Sequence, residues 1–282
     1  MKWTGDREDV EDMRGGSGFG GGMVPLGLGG FIVLLLLSWV SGTNLFSLLG
    51  TGSGSTSVGT SGQVDSSPVE ERRVDFVGAV TKDVQDMWAE RLGPRYERTR
   101  LVLFRDAIQS ACGFAQAATG PFYCPGDRKV YLDLSFFDEL SRRFGAPGDF
   151  AQAYVIAHEF GHHVQNLLGL NERASQDRRT GENSASVALE LQADCFAGVW
   201  GHEASQGGRF QAGHVELDPG DAEEAIRAAG AIGDDRLQRM STGHVMPDRF
   251  THGSSAQRVT WFSRGMDSGD PRACTSSPAT TR

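Results

Sequence analysis

The 282-residue chain has no excess of basic residues, with 27 Lys and Arg against 36 Asp and Glu and a formal net charge of −9. A protein that binds nucleic acid presents a basic face to the phosphates, so this balance argues against nucleic acid as the main partner. Hydrophobic residues make up 39% of the chain and charged residues 22%. These fractions are typical of a globular protein and exclude disorder throughout the chain.

Charged side chains are absent from the segment Gly15–Val64, which contains the apolar run Met23–Val40. An uncharged run of this length matches a single crossing of a bilayer. Gly- and Ser-rich sequence on both sides disfavours the alternative of a helix buried in a protein core. The sequence therefore predicts one transmembrane helix.

Basic residues lie on one side of this helix, because Lys2, Arg7 and Arg14 precede it and no Lys or Arg follows before Arg72. The positive-inside rule then places the N-terminus in the cytoplasm and everything after residue 41 outside it. We therefore expect a single-pass protein of the cell membrane. A cleaved secretory signal is the main alternative, but Val40-Ser41-Gly42 offers only a weak cleavage site.

Four regions follow from this interpretation, and the last is long enough to bury one hydrophobic core. They are a short cytoplasmic tail rich in glycine and acidic residues (1–22), the transmembrane helix (23–41), a flexible Gly/Ser/Thr linker (42–68) and an extracytoplasmic domain (69–282). The linker composition cannot form a core, so we expect it to act as a loose tether.

The pattern of the last region predicts an α+β domain that is mainly helical, with a small antiparallel sheet. Strands are expected at 100–104, Phe122–Cys124 and Lys129–Leu134, the last two joined by a hairpin turn. Apolar residues at three- and four-residue spacing predict helices over 69–92, 136–144, 149–168, 184–204, 221–232 and 256–266.

Cysteine is scarce, with four residues in the chain, and their spacing excludes a Cys-type zinc site and the C-x-x-C signature of the zinc deaminases. Disulfides are favoured outside the cytoplasm. Cys112 and Cys124 bracket a small glycine-containing loop and the entry to the hairpin, so we expect them to pair. Cys195 would then pair with Cys274 by elimination, and buried free thiols are the alternative.

The predicted helix over 149–168 contains the motif HEFGH, in which His158 and His162 lie four positions apart. Residues at this spacing share one face of a helix, so both imidazoles can bind one Zn²⁺. Glu159 is then placed to take a proton from a water molecule at the metal. Apolar neighbours such as Phe160 disfavour a solvated helix with incidental histidines, because buried polar groups need partners.

A catalytic zinc site usually takes three protein ligands and keeps one position open for water. The predicted helix over 184–204 contains ELQAD, in which Glu190 and Asp194 share a face and stand in apolar sequence. We assign Glu190 as the third ligand and expect Asp194, one turn further on, to accept the other N–H of a ligating histidine. An ordinary surface acid at position 190 is the alternative.

These motifs and two further segments resemble the bacterial putative neutral zinc metallopeptidase family (the YpfJ-like proteins). The segments are HEFGHHVQ, LELQADCFAGVW, RFTHGSSAQRVTWF and the upstream ACGFAQAATGPFYCPGDRKVYLDLSFF, and the similarity covers residues 70–275. The resemblance implies a zincin-like metallopeptidase fold of the Glu-ligand type. It also implies one zinc ion held by His158, His162 and Glu190, with Glu159 as the general base.

Two residues are candidates for donating to the oxyanion that forms when water attacks a peptide carbonyl. His252, just before the last predicted helix, is the first choice, and its alternative role is a loop histidine that holds this helix in place. Tyr154, one turn before His158, is the second choice. We expect His163 to be structural because it lies about 140° round the helix from His158. The histidines without ligand-like spacing are His202, His214 and His244.

The predicted strand Lys129–Leu134 comes shortly before the helix that carries the HEFGH motif. In zincins an edge strand above the metal pairs with extended substrate, so we expect this strand to bind a peptide by β-augmentation. A strand in an ordinary core hairpin is the alternative.

The sequence thus predicts a membrane-anchored zinc metallopeptidase, a metalloendopeptidase, that hydrolyses peptide bonds with zinc-activated water and Glu159 as general base. Its expected partners are a peptide or protein substrate and the membrane, through one N-terminal helix. A different class of function remains open. In that alternative, the domain is a non-catalytic module that binds peptides or proteins at the cell surface and uses zinc only for stability.

Overall fold

The computed structural model describes residues 1–15, 66–174, 177 and 179–275 of the chain. The predicted transmembrane helix at 23–41 and most of the predicted linker at 42–68 lie outside these residues. Within them, no helix is both long enough and apolar enough to cross a bilayer.

The described residues form helices and short strands close to the predicted positions. The strands are β1 (Val10–Asp12), β2 (Leu101–Phe104), β3 (Ala107–Ser110), β4 (Gly113–Gln116), β5 (Phe122–Cys124) and β6 (Lys129–Asp133). The helices are α1 (Pro68–Leu92), α2 (Ser135–Arg142), α3 (Asp149–Leu167), α4 (Leu170–Ala174), α5 (Ala185–Ala204), α6 (Asp221–Ala231), α7 (Asp234–Thr242) and α8 (Ser255–Ser268). Each predicted helix of the domain is present within two residues of its expected bounds, whereas α4, α7 and the hairpin β3–β4 were not predicted.

Four strands form a mixed sheet in the order β1-β2-β6-β5, whereas the sequence predicted an antiparallel sheet. β1, β2 and β6 run parallel, and β5 runs antiparallel to β6. Parallel neighbours need a crossover connection, and α1 forms part of the one between β1 and β2. The antiparallel prediction was wrong because it rested on the β5–β6 hairpin, and the strands that extend this hairpin come from distant parts of the chain.

Residues 1–14 belong to the same compact unit as the rest of the domain, whereas the sequence predicted a separate tail over 1–22. β1 pairs with β2 over three residues and forms one edge of the sheet. Arg14, just after β1, is buried and makes ion pairs with Glu70 and Glu71 at the start of α1. The beginning of the chain is therefore built into the fold by both backbone and side-chain contacts.

Helix α5 packs against both α3 and α8 in the core, and glycines set the distance between α5 and α8. A Cβ atom on Gly198 of α5 would lie 2.1 Å from the carbonyl oxygen of Phe262 of α8. A Cβ atom on Gly265 of α8 would lie 1.9 Å from the carbonyl oxygen of Cys195. No side chain fits at either position, so this close packing requires glycine and holds α8 beside α5 at residues 262–265.

Both predicted disulfides are present, Cys112–Cys124 and Cys195–Cys274. The first ties the turn of the β3–β4 hairpin to the last residue of β5. The second ties α5 to the 3₁₀ turn Pro271–Thr275 near the end of the described chain. The four cysteines of the sequence are all paired, an arrangement that persists in oxidising compartments.

Candidate metal centre

Helix α3 carries the HEFGH motif and is held firmly at its N-terminus. The carboxylate of Glu224 on α6 accepts a hydrogen bond from the backbone N–H of Phe150 at 3.0 Å. A negative charge is favourable at the N-terminus of a helix, where the first N–H groups lack partners within the helix. Along α3, His158 and Glu159 are buried and His162 is partly buried. The motif therefore stands on a helix that its neighbours hold in place.

The three predicted metal ligands come together in the structure. Nε2 of His158 lies 3.3 Å from one carboxylate oxygen of Glu190, and Nε2 of His162 lies 3.5 Å from the other. One ligand atom from each residue can be chosen so that all lie within 4.8 Å of one another. In a tetrahedral zinc site with bonds of about 2.0–2.2 Å, ligand atoms are about 3.3–3.6 Å apart, so the observed spacing fits one zinc ion.

Each histidine is held with Nε2 toward Glu190 by a hydrogen bond at its other nitrogen. Nδ1 of His158 donates to Asp194 at 2.8 Å, as the sequence predicted, and Nδ1 of His162 donates to the side-chain oxygen of Gln165 at 2.9 Å. These oxygen acceptors fix the tautomer whose Nε2 lone pair can bind a metal. Gln165 was not predicted, although its position three residues after His162 places both on one face of α3.

Asp194 is the centre of a buried cluster behind His158. Its carboxylate accepts from the hydroxyl of Tyr154 at 2.6 Å and from Nε and Nη2 of Arg258, both at 2.8 Å. Arg258 was not predicted. The sequence feature that could have indicated it is its helical spacing from Trp261 and Phe262, which places a basic residue on the apolar face of α8. Tyr154, the second candidate for the oxyanion donor, is fully buried, and its hydroxyl donates a hydrogen bond to Asp194. We therefore assign Tyr154 to the support of the ligands.

Opposite charges set the protonation of this cluster. Burial alone would raise the pKa of Asp194, but Arg258 and His158 lower it to about 2. Burial alone would lower the pKa of His158, but Asp194 and Glu190 raise it to about 10, so a metal ion bound at Nε2 would displace a proton from this ring. Burial would also raise the pKa of Glu190, yet His162 and His158 hold it well below its usual value. Both carboxylates are therefore ionised, which suits the binding of a cation.

His252 lies in the same cleft as the ligands, and half of its side chain is exposed. One carboxylate oxygen of Asp234 on α7 accepts from the backbone N–H groups of Thr251, His252 and Gly253, at 2.6, 2.6 and 3.1 Å. The other oxygen lies 3.4 Å from Nδ1 of His252. The hydrogen bond with Asp234 raises the pKa of His252, although burial opposes it. Asp234 was not predicted because it belongs to α7, which sequence patterns did not show.

The three ligands, Glu159 and His252 line one open cleft with a volume of about 850 Å³. Ligand pockets in proteins span about 300–1,000 Å³, so this cleft can hold several residues of a peptide. Much of its remaining lining is apolar, and includes Phe122, Phe136, Phe144, Ile232, Leu237 and Met240.

The strand at the edge of the sheet beside this cleft is β5. The sequence predicted the peptide-binding edge strand at Lys129–Leu134, but β6 lies between β2 and β5 and is paired on both sides. That prediction was wrong because β6 has a second neighbour besides β5. The second neighbour is β2, a parallel strand from earlier in the chain, and it occupies the edge of β6 that was expected to be free. β5 pairs only with β6 among the described strands, and Phe122 and Tyr123 line the cleft.

His163 supports β5 from α3, which confirms the structural role expected for it. Its Nε2 donates to the backbone carbonyl of Glu97 at 2.7 Å, and its Nδ1 lies 3.1 Å from the hydroxyl of Tyr123. Burial lowers the pKa of His163 below its usual value. In the described chain, the metal-binding group does not include the remaining histidines His202, His214 and His244.

Comparison with known proteins places the whole chain in one group. The sequence profile of a family described as putative neutral zinc metallopeptidase matches residues 1–277. The chain is 46% identical to the uncharacterized protein YpfJ of Escherichia coli K12, over 97% of this chain and 98% of that protein. It is 45% identical to the uncharacterized protein Rv2575 of Mycobacterium tuberculosis H37Rv, over 70% of this chain and 68% of that protein. No solved structure matches the chain.

Proposed function

The chain belongs to the putative neutral zinc metallopeptidase family, and we propose that it hydrolyses peptide bonds with Glu159 as the general base. The observation that supports this most is the convergence of His158, His162 and Glu190 in an open cleft, with each histidine oriented by an acceptor. Structural zinc sites are closed by four protein ligands. The described residues bring three together, as a catalytic site requires.

The chemistry follows from the groups that line the cleft. A zinc ion held by these residues would lower the pKa of a water molecule and polarise the scissile carbonyl. Glu159 follows His158 on α3, and we assign it to take a proton from the attacking water and pass it to the leaving amine. Water thus adds across the C–N bond, which breaks to give a carboxylate and an amine.

We assign His252 to donate a hydrogen bond to the oxygen of the carbonyl as negative charge develops on it. Thr251 and Asp234 engage Nδ1 of His252, so Nε2 is the nitrogen that would donate. Preorganised donors of this kind lower the barrier because they need no rearrangement during the reaction. The three backbone contacts of Asp234 supply this preorganisation.

We propose that the substrate binds in an extended conformation along β5. The backbone of an edge strand can pair with an incoming peptide, and pockets for alternate side chains then give specificity. The apolar lining of the cleft, with Phe136 and Phe144, favours substrates that carry bulky apolar residues near the scissile bond. The disulfide Cys112–Cys124 supports this role because it anchors the end of β5.

The experiment that tests this function compares cleavage of a mixed peptide library under four conditions. They are the wild-type protein, the protein with a chelator, the chelated protein with zinc restored, and the Glu159→Gln variant. We expect cleavage in the first and third conditions and none in the second and fourth. Retention of peptides with no cleavage under any condition would overturn the proposal in favour of the non-catalytic binding module.

We further propose that the protein acts at a membrane, outside the cytoplasm. The apolar run at 23–40 supports attachment to a bilayer, and the two disulfides support an oxidising compartment. The expected single crossing would put residues 1–14 and the domain on opposite sides. Because β1 pairs with β2, we propose instead that residues 1–14 lie on the same side as the domain.

A further inference from the structure

A buried arginine joins the metal centre from a third helix. Arg258 lies in the first turn of α8 and is only 3% exposed. Arginine is almost never fully buried without partners, because removal of its charge from water is costly. Most of the contacts that offset this cost support one metal ligand, His158.

The guanidinium of Arg258 makes a two-point contact with the carboxylate of Asp194. Nε lies 2.8 Å from Oδ2, and Nη2 lies 2.8 Å from Oδ1. A fork of this kind fixes both the plane and the rotation of the carboxylate, which a lysine ammonium cannot do. In the fixed orientation, Oδ1 accepts the hydrogen bond from Nδ1 of His158 at 2.8 Å.

Further contacts hold the guanidinium in place. Nη2 donates to the hydroxyl of Tyr154 at 3.2 Å, while that hydroxyl donates to Asp194 at 2.6 Å. Nη1 donates to the backbone carbonyl of Ile232 at 3.4 Å. The close packing of Gly198 against α8 sets the distance between the two helices that carry Asp194 and Arg258. These contacts together fix the position of the guanidinium against Asp194.

We propose that Arg258 is a positioning residue of the zinc centre. It holds Asp194 in the orientation that keeps Nε2 of His158 directed at the metal. Without the fork, Tyr154 and His158 would contact only one oxygen of Asp194, and the carboxylate would lose the buried positive charge that compensates it. The proposal rests on the metal-binding part of the proposed function and not on hydrolysis, so zinc binding tests it separately from peptidase activity.

The first test measures zinc affinity of the full-length protein by competition with a fluorescent chelator. We expect Arg258→Met to weaken zinc binding by about 10- to 100-fold, the range typical for loss of a group that orients a metal ligand. Arg14→Met is the matched control, because Arg14 is an equally buried arginine whose ion pairs with Glu70 and Glu71 involve no metal ligand. It should lower Tm and leave zinc affinity unchanged.

The second test is a double-mutant cycle with Asp194, which separates positioning from a general loss of stability. If Arg258 acts through Asp194, then Arg258→Met should cause little further loss of zinc affinity in a protein that already carries Asp194→Asn. Losses that multiply in the double variant would overturn the proposal. So would a lower Tm with unchanged zinc affinity in the single variant Arg258→Met.

A third variant keeps the test decisive if Arg258→Met fails to fold because Asp194 has lost its positively charged partner. Arg258→Lys retains the positive charge but cannot form the fork, so the protein should fold and still bind zinc more weakly than the wild type. Wild-type zinc affinity in Arg258→Lys would show that charge alone is sufficient and would overturn the positioning role.

Discussion

Gly161 of α3 lies directly against the backbone of Ala193 of α5. A Cβ atom on Gly161 would lie 3.1 Å from both the Cα atom and the carbonyl oxygen of Ala193. The two helices can approach this closely because position 161 has no side chain. In the sequence of α3, His158 precedes Gly161 by three residues and His162 follows it directly. Glu190 precedes Ala193 on α5 by almost one turn. This approach therefore brings both imidazoles within 3.5 Å of the carboxylate.

The first prediction concerns this contact. Gly161→Ala should force α3 and α5 apart by a few tenths of an ångström. We expect the free energy of unfolding to fall by about 1–3 kcal/mol, as for other overpacked contacts. Zinc affinity should fall by about tenfold or more, because the ligands separate. Urea unfolding of the metal-free protein and chelator competition measure the two effects.

The matched control for this prediction is Gly230→Ala on α6. There a new Cβ atom would meet only a methyl group of Val259, at 3.5 Å, which is ordinary contact. Alanine is favoured over glycine inside a helix by about 0.5–1 kcal/mol, so this variant should be as stable as the wild type or slightly more so. Both variants are expected to fold, and unchanged zinc affinity in Gly161→Ala would show that the contact does not set the ligand spacing.

The second prediction concerns the general base. Glu159→Gln keeps the shape of the side chain but removes its ability to accept a proton. We expect zinc content to match the wild type and kcat/KM for a cleaved peptide to fall by about 100- to 10,000-fold. Glu90→Gln, at an exposed position of α1, is the control and should keep full activity. Wild-type turnover in Glu159→Gln would remove this residue from the mechanism.

The third prediction concerns pH. The carboxylate of Asp234 favours the imidazolium form of His252, in which both ring nitrogens carry a proton and Nε2 can donate. Because the positively charged imidazolium is the stronger donor to a developing oxyanion, activity should fall as the pH rises through the pKa of His252. Asp234 raises this pKa, burial lowers it, Glu190 raises it and Arg258 lowers it.

The variant that tests this relationship is Asp234→Asn. This variant loses the charge of Asp234, whose hydrogen bond is the main cause of the raised pKa of His252. The pKa should therefore fall, and the alkaline limb of the kcat/KM profile should move to lower pH. His252→Gln should lower kcat/KM by about 100-fold and abolish that limb. If the alkaline limb persists unchanged in His252→Gln, another group produces it. Tm measurements on both variants identify any effect of the lost backbone contacts of Asp234.

The part of the site that could be predicted from sequence is the part with local signals. His158 and His162 lie one turn apart on one helix, so helical spacing alone places them on a common face. Glu190 and Asp194 repeat that spacing on a second helix. Apolar neighbours on both helices indicated that these polar groups are buried and need partners. The expected ligands, and the hydrogen bond from His158 to Asp194, follow from these patterns.

The part that could not be predicted depends on contacts between distant segments. Arg258 reaches Asp194 because α5 and α8 pack at a distance set by Gly198 and Gly265, and periodicity within one helix does not show such packing. Asp234 accepts hydrogen bonds from the backbone of a loop that begins seventeen residues later, at Thr251. β1 has only three residues in a charged sequence, so its parallel pairing with β2 has no alternating pattern to show it.

The last prediction concerns the side of the membrane on which the chain begins, and it follows from β1. In the full-length protein expressed in intact cells, we expect cysteines placed at Glu8 and Glu90, in separate variants, both to react with a membrane-impermeant maleimide. Both positions are exposed, and the four native cysteines are paired, so the added thiol is the only reactive one. A cytoplasmic protein with a free thiol should stay unlabelled.

The two positions distinguish the possible arrangements because β1 pairs with β2 only when residues 1–14 and the domain share a compartment. Labelling at both positions means that the sheet seen in the structure forms on the outer side. Labelling at position 90 with protection at position 8 would restore the single crossing that the positive-inside rule predicts. In that case β1 could not belong to the sheet in the cell, and Arg14 would lose its partners Glu70 and Glu71.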